Sequence, residues 1–236
     1  MLFGGIIKTS LIDFPGKVAC TVFTVGCNLR CPYCHNPELV LEKEFNKEKF
    51  FEEIEILRFL KKRKGLLDGI CITGGEPTLY SNLIDFIRMV KNLGFLVKLD
   101  TNGTNSQTVK KLIDNKLVDY IAMDIKAPLN YEDYQRVGGN INEKTFEEIK
   151  KTTSLIMNSG IDYEFRTTVL PKILSKEDIK QILKDIKGAR AFYIQNFIPS
   201  EKLIDQDLRQ EKGYTRKDLL EIQKLAKRYV KYCGVR

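Results

Sequence analysis

The chain has 236 residues, 43% of them hydrophobic and 30% charged, with a formal net charge of +8. This composition excludes a disordered or low-complexity protein and predicts one compact domain over 1–236 with ample chain to bury a core. A membrane span is excluded because no run of roughly 18 apolar residues occurs, and Lys8, Asp13, Pro15 and Lys17 break up the early apolar stretches where a signal-peptide core would lie.

KVACTVFTV at 17–25 reads as a first strand and leads into a cysteine-bearing loop over 26–40. A helix is then predicted from about Lys47 to Lys64, where Phe50, Ile54, Leu57 and Leu60 recur at helical spacing. Its end carries the densest basic run, Lys61 to Lys64 before Gly65, which suits the carbonyl end of a helix better than a docking patch. LLDGICIT at 66–73 is the second strand; it passes through GGEPTLY into a helix over 82–93, stopped by Gly94.

FLVKLD at 95–100 runs through TNG to a helix near 106–116, and VDYIAMDIKA at 118–127 is followed by a long loop and a helix near 143–158. IDYEFRTTVL at 161–170 precedes SKED at 175–178, a capping signal for the next helix. AFYIQNFI at 191–198 is the sixth strand, and TRKD at 215–218 repeats the capping signal before a closing helix over about 215–232. Six strands separated by helices must lie parallel, with right-handed crossovers. A complete eight-unit barrel needs about 250 residues, so six units predict an α/β partial (β/α)6 TIM-type barrel, open on one side. The distinctive motifs fall just after strands, at the carboxyl edge where such folds place their chemistry.

Cys27, Cys31 and Cys34 crowd one loop in a C-x3-C-x2-C pattern, while Cys20, Cys71 and Cys233 are scattered and read as inert thiols. The chain reads as cytoplasmic, a reducing setting in which clustered thiols bind metal or do redox chemistry. A closed zinc site needs four ligands, and the only nearby candidate, His35, is adjacent to Cys34 and badly placed to share one ion with it. A cubane iron–sulfur cluster on three cysteines leaves one iron open for a ligand.

CNLRCPYCHNP, with Tyr33 before the last cysteine, resembles the radical S-adenosylmethionine (SAM) superfamily. HNP after it, SLIDFPG at 10–16 upstream, and GGEP, DTNG, DIK and RTTVLP downstream are similar to the activating enzymes of glycyl radical enzymes, over most of the chain. The resemblance implies a 4Fe-4S cluster on Cys27, Cys31 and Cys34, and SAM chelated to its open iron. It also implies cleavage of SAM to methionine and a 5′-deoxyadenosyl radical, with no catalytic side chain beyond cluster and cofactor.

By the same resemblance Gly74, Gly75, Glu76 and Pro77 hold the methionine part, with the Glu76 carboxylate accepting from the ammonium. Thr101, Asn102 and Asp124 lie in the cofactor site, and Lys126 and Arg166 face the cofactor carboxylate or ribose. His35 and Tyr33 neighbour the adenine. Asp100, Thr101 and Asp124 are expected to hold a monovalent cation, the bland alternative being pairing with lysines, and Asp13 is expected near the active-site mouth. Two departures stand out. The 39 residues between Cys34 and Gly74 contain one cysteine, too few for a second cluster, and YIQNFIPSEK lacks the late histidine of pyruvate formate-lyase activating enzymes, with Gln195 as the substitute polar contact.

The implied function is activation of a glycyl radical enzyme, with anaerobic ribonucleotide reductase the favoured partner and a flavodoxin- or ferredoxin-like protein the electron donor. The alternatives are a small-molecule radical enzyme similar to carboxy-deazaguanine synthases and a zinc-stabilised module using the +8 charge on nucleic acid. No membrane partner is expected, and the spread of the basic residues disfavours nucleic acid.

Overall fold

The computed structural model describes residues 1–139 and 141–236, with Lys47 described in its backbone alone. The six expected strands are present: β2 (Ala19–Thr24), β4 (Gly69–Gly74), β5 (Leu96–Thr101), β6 (Tyr120–Asp124), β7 (Asp162–Val169) and β8 (Phe192–Asn196). Three more extend the sheet. They are β1 (Leu2–Ser10), β3 (Phe51–Glu52) and β9 (Cys233–Val235), giving the order β3-β1-β2-β4-β5-β6-β7-β8-β9. β2 and β4 to β9 run parallel, whereas β1 is antiparallel to both β2 and β3. The end strands β3 and β9 do not pair with each other, so the partial barrel stays open.

The helices follow the strands: α1 (Pro37–Val40), α2 (Glu53–Lys62), α3 (Leu83–Asn92), α4 (Ser106–Asp114), α5 (Tyr131–Gly138), α6 (Glu143–Met157), α7 (Lys176–Asp185) and α8 (Arg216–Ala226). The helix expected from Lys47 is divided. A single turn at Lys47–Lys49 and strand β3 come first, and α2 begins at Glu53 with Glu52 and Glu55 in a capping box. Both predicted capping boxes form, Ser175 with Asp178 and Thr215 with Asp218. The closing helix is shorter than expected, because the chain leaves it after Ala226 to lay β9 beside β8. The loop expected after β6 contains α5, started by Asn130 accepting from the Asp133 N–H.

Alternation along the strands sorts two chemistries onto two faces. In register, Val22, Ile72, Leu99 and Ile121 form one buried apolar row, packed with Phe86, Val109, Ile149 and Ile182 of the surrounding helices. One residue out of phase, Thr21, Cys71, Lys98 and Tyr120 line the inner wall. Buried inner-wall charges must be paired. Near the amino ends of the strands Glu164 is fully buried and accepts from Arg236 at 2.9 and 3.1 Å and from the Tyr120 hydroxyl at 3.0 Å. Arg236 also lies 3.7 Å over the Tyr193 ring, so β9 is fastened by side chains as well as by backbone.

Replacing Ser175 by Ala removes an N-cap acceptor and is expected to lower stability by about 1 kcal/mol, read from urea unfolding; an unchanged midpoint would show that the cap does not carry the start of α7.

Candidate functional site

β2 delivers the thiol loop to the carboxyl edge of the sheet, where the chain's own contacts hold it on several sides. Gly26 N–H donates to Leu39 O at 2.6 Å, closing the loop, and Cys34 N–H donates to Cys31 O at 3.0 Å. Asn28 donates to the Thr104 hydroxyl at 2.9 Å and accepts from the Asn102 amide at 3.0 Å, tying the loop to the end of β5. Asp205 N–H donates to Pro32 O at 2.9 Å, so the segment after β8 also reaches over.

Beside this loop lies a cavity of about 230 Å³ lined by Cys27, Cys31 and Cys34, by Tyr33 and His35, and by Gly74, Gly75 and Glu76. Asp100, Thr101, Asn102, Asp124, Lys126 and Arg166 complete it from the neighbouring strand ends. The predicted residues thus meet in one place, with three exceptions. Pro77 is buried at the start of a short turn, Pro77–Leu79, and does not line the cavity. Gln195, on β8, also lies outside the lining. Asp13 accepts from the Thr21 hydroxyl at 2.6 Å and also lies outside the lining.

Thr168 and Leu29 line the cavity although the sequence reading passed over them. Thr168 had a signal, since it stands two residues after Arg166 on the same strand and therefore faces the same way.

A continuous row of ion pairs crosses the inner wall. Arg166 donates from Nε to Asp124 Oδ1 at 2.8 Å and from Nη1 to Asp100 Oδ2 at 2.9 Å. Lys126 Nζ donates to Asp124 Oδ2 at 2.9 Å, and Lys98 Nζ pairs with Asp100 Oδ1. Burial raises the Asp124 carboxyl, but Arg166 and Lys126 outweigh it and hold the group well below the ordinary carboxylate range. Asp100 is likewise lowered against burial by Arg166 and Lys98. Three cations stand against two carboxylates in this row, and every oxygen of Asp100 and Asp124 is already paired. The geometry therefore shows the pairing with lysines, extended by Arg166, at the place where a monovalent cation is expected on Asp100, Thr101 and Asp124.

Glu76 is also committed to the protein. Its Oε1 accepts from Thr78 N at 3.1 Å, Thr78 Oγ1 at 2.5 Å and Thr101 Oγ1 at 2.7 Å, and its Oε2 accepts from Asn102 N at 2.6 Å. Burial raises its carboxyl in spite of these bonds. The two glycines before it serve a close approach of backbones. Gly74 has φ +112°, and a Cβ there would lie 2.3 Å from Thr24 N; a Cβ on Gly75 would lie 1.9 Å from Gly26 O. Gly75 N–H and Glu76 N–H then donate to Thr24 O and Gly26 O, both at 2.8 Å, fastening GGE to the root of the thiol loop.

His35 places Nε2 2.8 Å from Ile198 O and stacks on Phe197, so the proposed fourth zinc ligand is turned to the segment after β8. Among the described residues no three Cys, His, Asp or Glu side chains close around a point fit for a single metal ion. The three cysteines line one cavity. Burial pushes the Cys27 thiol up to about 12 and the Cys31 thiol up to about 11, so a strongly cationic centre is needed to make them thiolates. The Asn102 amide stands 3.8 Å from Cys27 Sγ as a donor to that sulfur. The buried Tyr33 hydroxyl has no hydrogen-bond partner among the described residues, leaving an unfilled polar position in a side chain that lines the cavity. Three thiols, a sulfur-directed amide and an unpaired hydroxyl fit a cluster with a polar ligand.

Exchanging Arg166 for Met strands two buried carboxylates and is expected to cost about 3–5 kcal/mol, measured by urea unfolding; a loss under 1 kcal/mol would contradict the ion-pair row. Both aspartates are depressed below their ordinary 3.8. Their contribution is therefore whole above about pH 5 and is lost as the pH falls through the depressed values. Acid unfolding of the wild type should show this loss, and Asp124→Asn should flatten it.

Residues 21–186 match the Radical SAM superfamily model. Over 233 residues the chain is 36% identical to a Methanocaldococcus jannaschii protein provisionally named a glycyl-radical enzyme activating enzyme, covering 97% of this chain and 93% of that one. It is 29% identical to the pyruvate formate-lyase-activating enzyme of Clostridium pasteurianum, covering 78% and 76% of the two chains. In fold it is similar to Streptococcus suis SuiB bound to S-adenosylmethionine, with a TM-score of 0.68, 17% identity, and coverage of 90% of this chain and 48% of that one. Motif, cavity and likeness agree: the chain belongs to the Radical SAM superfamily and, within it, to the glycyl-radical enzyme activating enzymes.

Proposed function

We propose that residues 1–236 act as one radical SAM unit that activates a glycyl radical enzyme, with anaerobic ribonucleotide reductase as the favoured partner. The observation that carries the reading is the cavity itself, where three thiols share one space with Asp100, Asp124, Lys126 and Arg166 of the buried ion-pair row. Cys27, Cys31 and Cys34 would hold a 4Fe-4S cluster, leaving one iron open to the amino and carboxylate groups of S-adenosylmethionine. When bound, the cluster supplies the electron that splits this cofactor into methionine and a 5′-deoxyadenosyl radical, which takes hydrogen from a glycine.

The chain's own residues bind, orient and exclude water. Lys126 and Arg166, the two cations of the row that line the cavity, face the cofactor carboxylate or ribose. Glu76 acts through Thr101 and Asn102, holding the end of β5 beside Cys27. His35 and Tyr33 supply the ring surfaces suited to an adenine. The open side of the sheet leaves a way in for a glycine loop of the partner. SLIDFPG and the absence of a histidine after β8 support ribonucleotide reductase over pyruvate formate-lyase. A flavodoxin- or ferredoxin-like donor and a reducing, cytoplasmic setting fit a chain whose six cysteines are all free. No helix among the described residues is long and apolar enough to cross a membrane.

Anaerobic incubation with reductant, S-adenosylmethionine and a ribonucleotide reductase bearing the glycine should yield a glycyl radical doublet by electron paramagnetic resonance. Cys31→Ala should lose bound iron and both products. Intact cofactor cleavage with no doublet on any glycyl radical enzyme would overturn the activase reading, and deuterium passing to deoxyadenosine from a labelled pterin would assign a small-molecule substrate.

A further inference from the structure

Arg30 stands between the first two cysteines, exposed, yet its side chain turns back onto its own loop. Nη1 donates to Cys27 O at 2.6 Å and to Leu29 O at 2.9 Å. The backbone is held just as firmly. Arg30 N–H donates to Gly138 O at 2.8 Å where α5 ends, and a Cβ on Gly139 would lie 3.1 Å from Arg30 Cβ. Among the described residues no carboxylate lies within ion-pair distance of this guanidinium. The other exposed arginine near α5, Arg136, is by contrast paired with Asp133.

An uncompensated charge fixed against a carbonyl of the first thiol ligand has an electrostatic consequence. Reduction of a cluster by one electron adds one negative charge to it, and a nearby cation stabilises the reduced form over the oxidised one. Solvent exposure of Arg30 screens the effect without removing it.

We propose that Arg30 is a positioning residue whose fixed charge, held on the Cys27 and Leu29 carbonyls, raises the reduction potential of the cluster bound by Cys27, Cys31 and Cys34. The inference rests on the cluster reading under the proposed function. In the step concerned an external reductant gives up one electron and the cluster gains it, with no bond made or broken in the protein. Arg30 thereby eases electron entry before any cofactor is cleaved.

The test is an anaerobic potentiometric titration of reconstituted protein, followed by the electron paramagnetic resonance signal of the reduced cluster. In Arg30→Gln the ratio of reduced to oxidised cluster at a fixed potential should fall about fivefold, a shift of about −41 mV at 59 mV per decade for one electron. Arg30→Lys keeps the charge and should stay within about twofold of wild type, about 18 mV on the same scale. Equal potentials in wild type and Arg30→Gln, or an equal fall in Arg30→Lys, would overturn the inference while leaving the cluster in place. Arg30→Met serves as a second neutral variant. If both neutral variants fail to hold iron while Arg30→Lys holds it, the side chain only supports the loop and the proposal on potential is overturned. A wild type that binds no iron and sulfide overturns the cluster reading, and this inference with it.

Discussion

One guanidinium sets the interior of this protein. Arg166 reaches from β7 to Asp124 on β6 and to Asp100 on β5, and each carboxylate has a lysine on its other oxygen. Buried charges survive only when paired and hydrogen-bonded, so the row fixes the inner ends of three adjacent strands in a common geometry. The cavity is the space left above it. Asp100, Asp124, Lys126 and Arg166 of the row line part of it, and the cysteines of the thiol loop line another part.

The loop is built differently, from backbone carbonyls and small polar side chains. GGE zips to Thr24 and Gly26, Asn28 exchanges hydrogen bonds with Asn102 and Thr104, and Arg30 covers two carbonyls. These contacts leave the three sulfurs free for a ligand centre. Glu76, by resemblance a residue for the cofactor ammonium, appears in this structure first as a support. Its four accepted hydrogen bonds hold Thr78, Thr101 and Asn102, and the Asn102 amide in turn stands beside Cys27. Supports of this kind orient a metal's ligands and tune the centre.

Much of this was legible because the relevant signals are local. The cysteine spacing lies within eight residues, Cys27 to Cys34, and each cavity motif follows a strand whose apolar run is short and clear. Capping at Ser175 and Thr215 was readable for the same reason. Partnerships across the sequence were not. Asp100 and Arg166 are 66 residues apart and His35 bonds a carbonyl 163 residues away, so no window of sequence shows that these groups are already engaged. β1 was missed because its glycine pair and lysine look unlike a strand, and β9 because three residues carry too little periodicity. The helix α5 had a usable signal, Asn130 before Tyr131, Tyr134 and Val137 at three-residue spacing, which the length of the surrounding loop obscured.

The account stands on three thiolates gripping a cluster whose fourth corner is free for the cofactor. The most direct measurement is the electron paramagnetic resonance spectrum of the anaerobically reconstituted, reduced protein before and after S-adenosylmethionine is added. A free corner predicts that the cluster's g-values shift on addition, because the new ligand binds iron itself. An unchanged spectrum under saturating cofactor would contradict it.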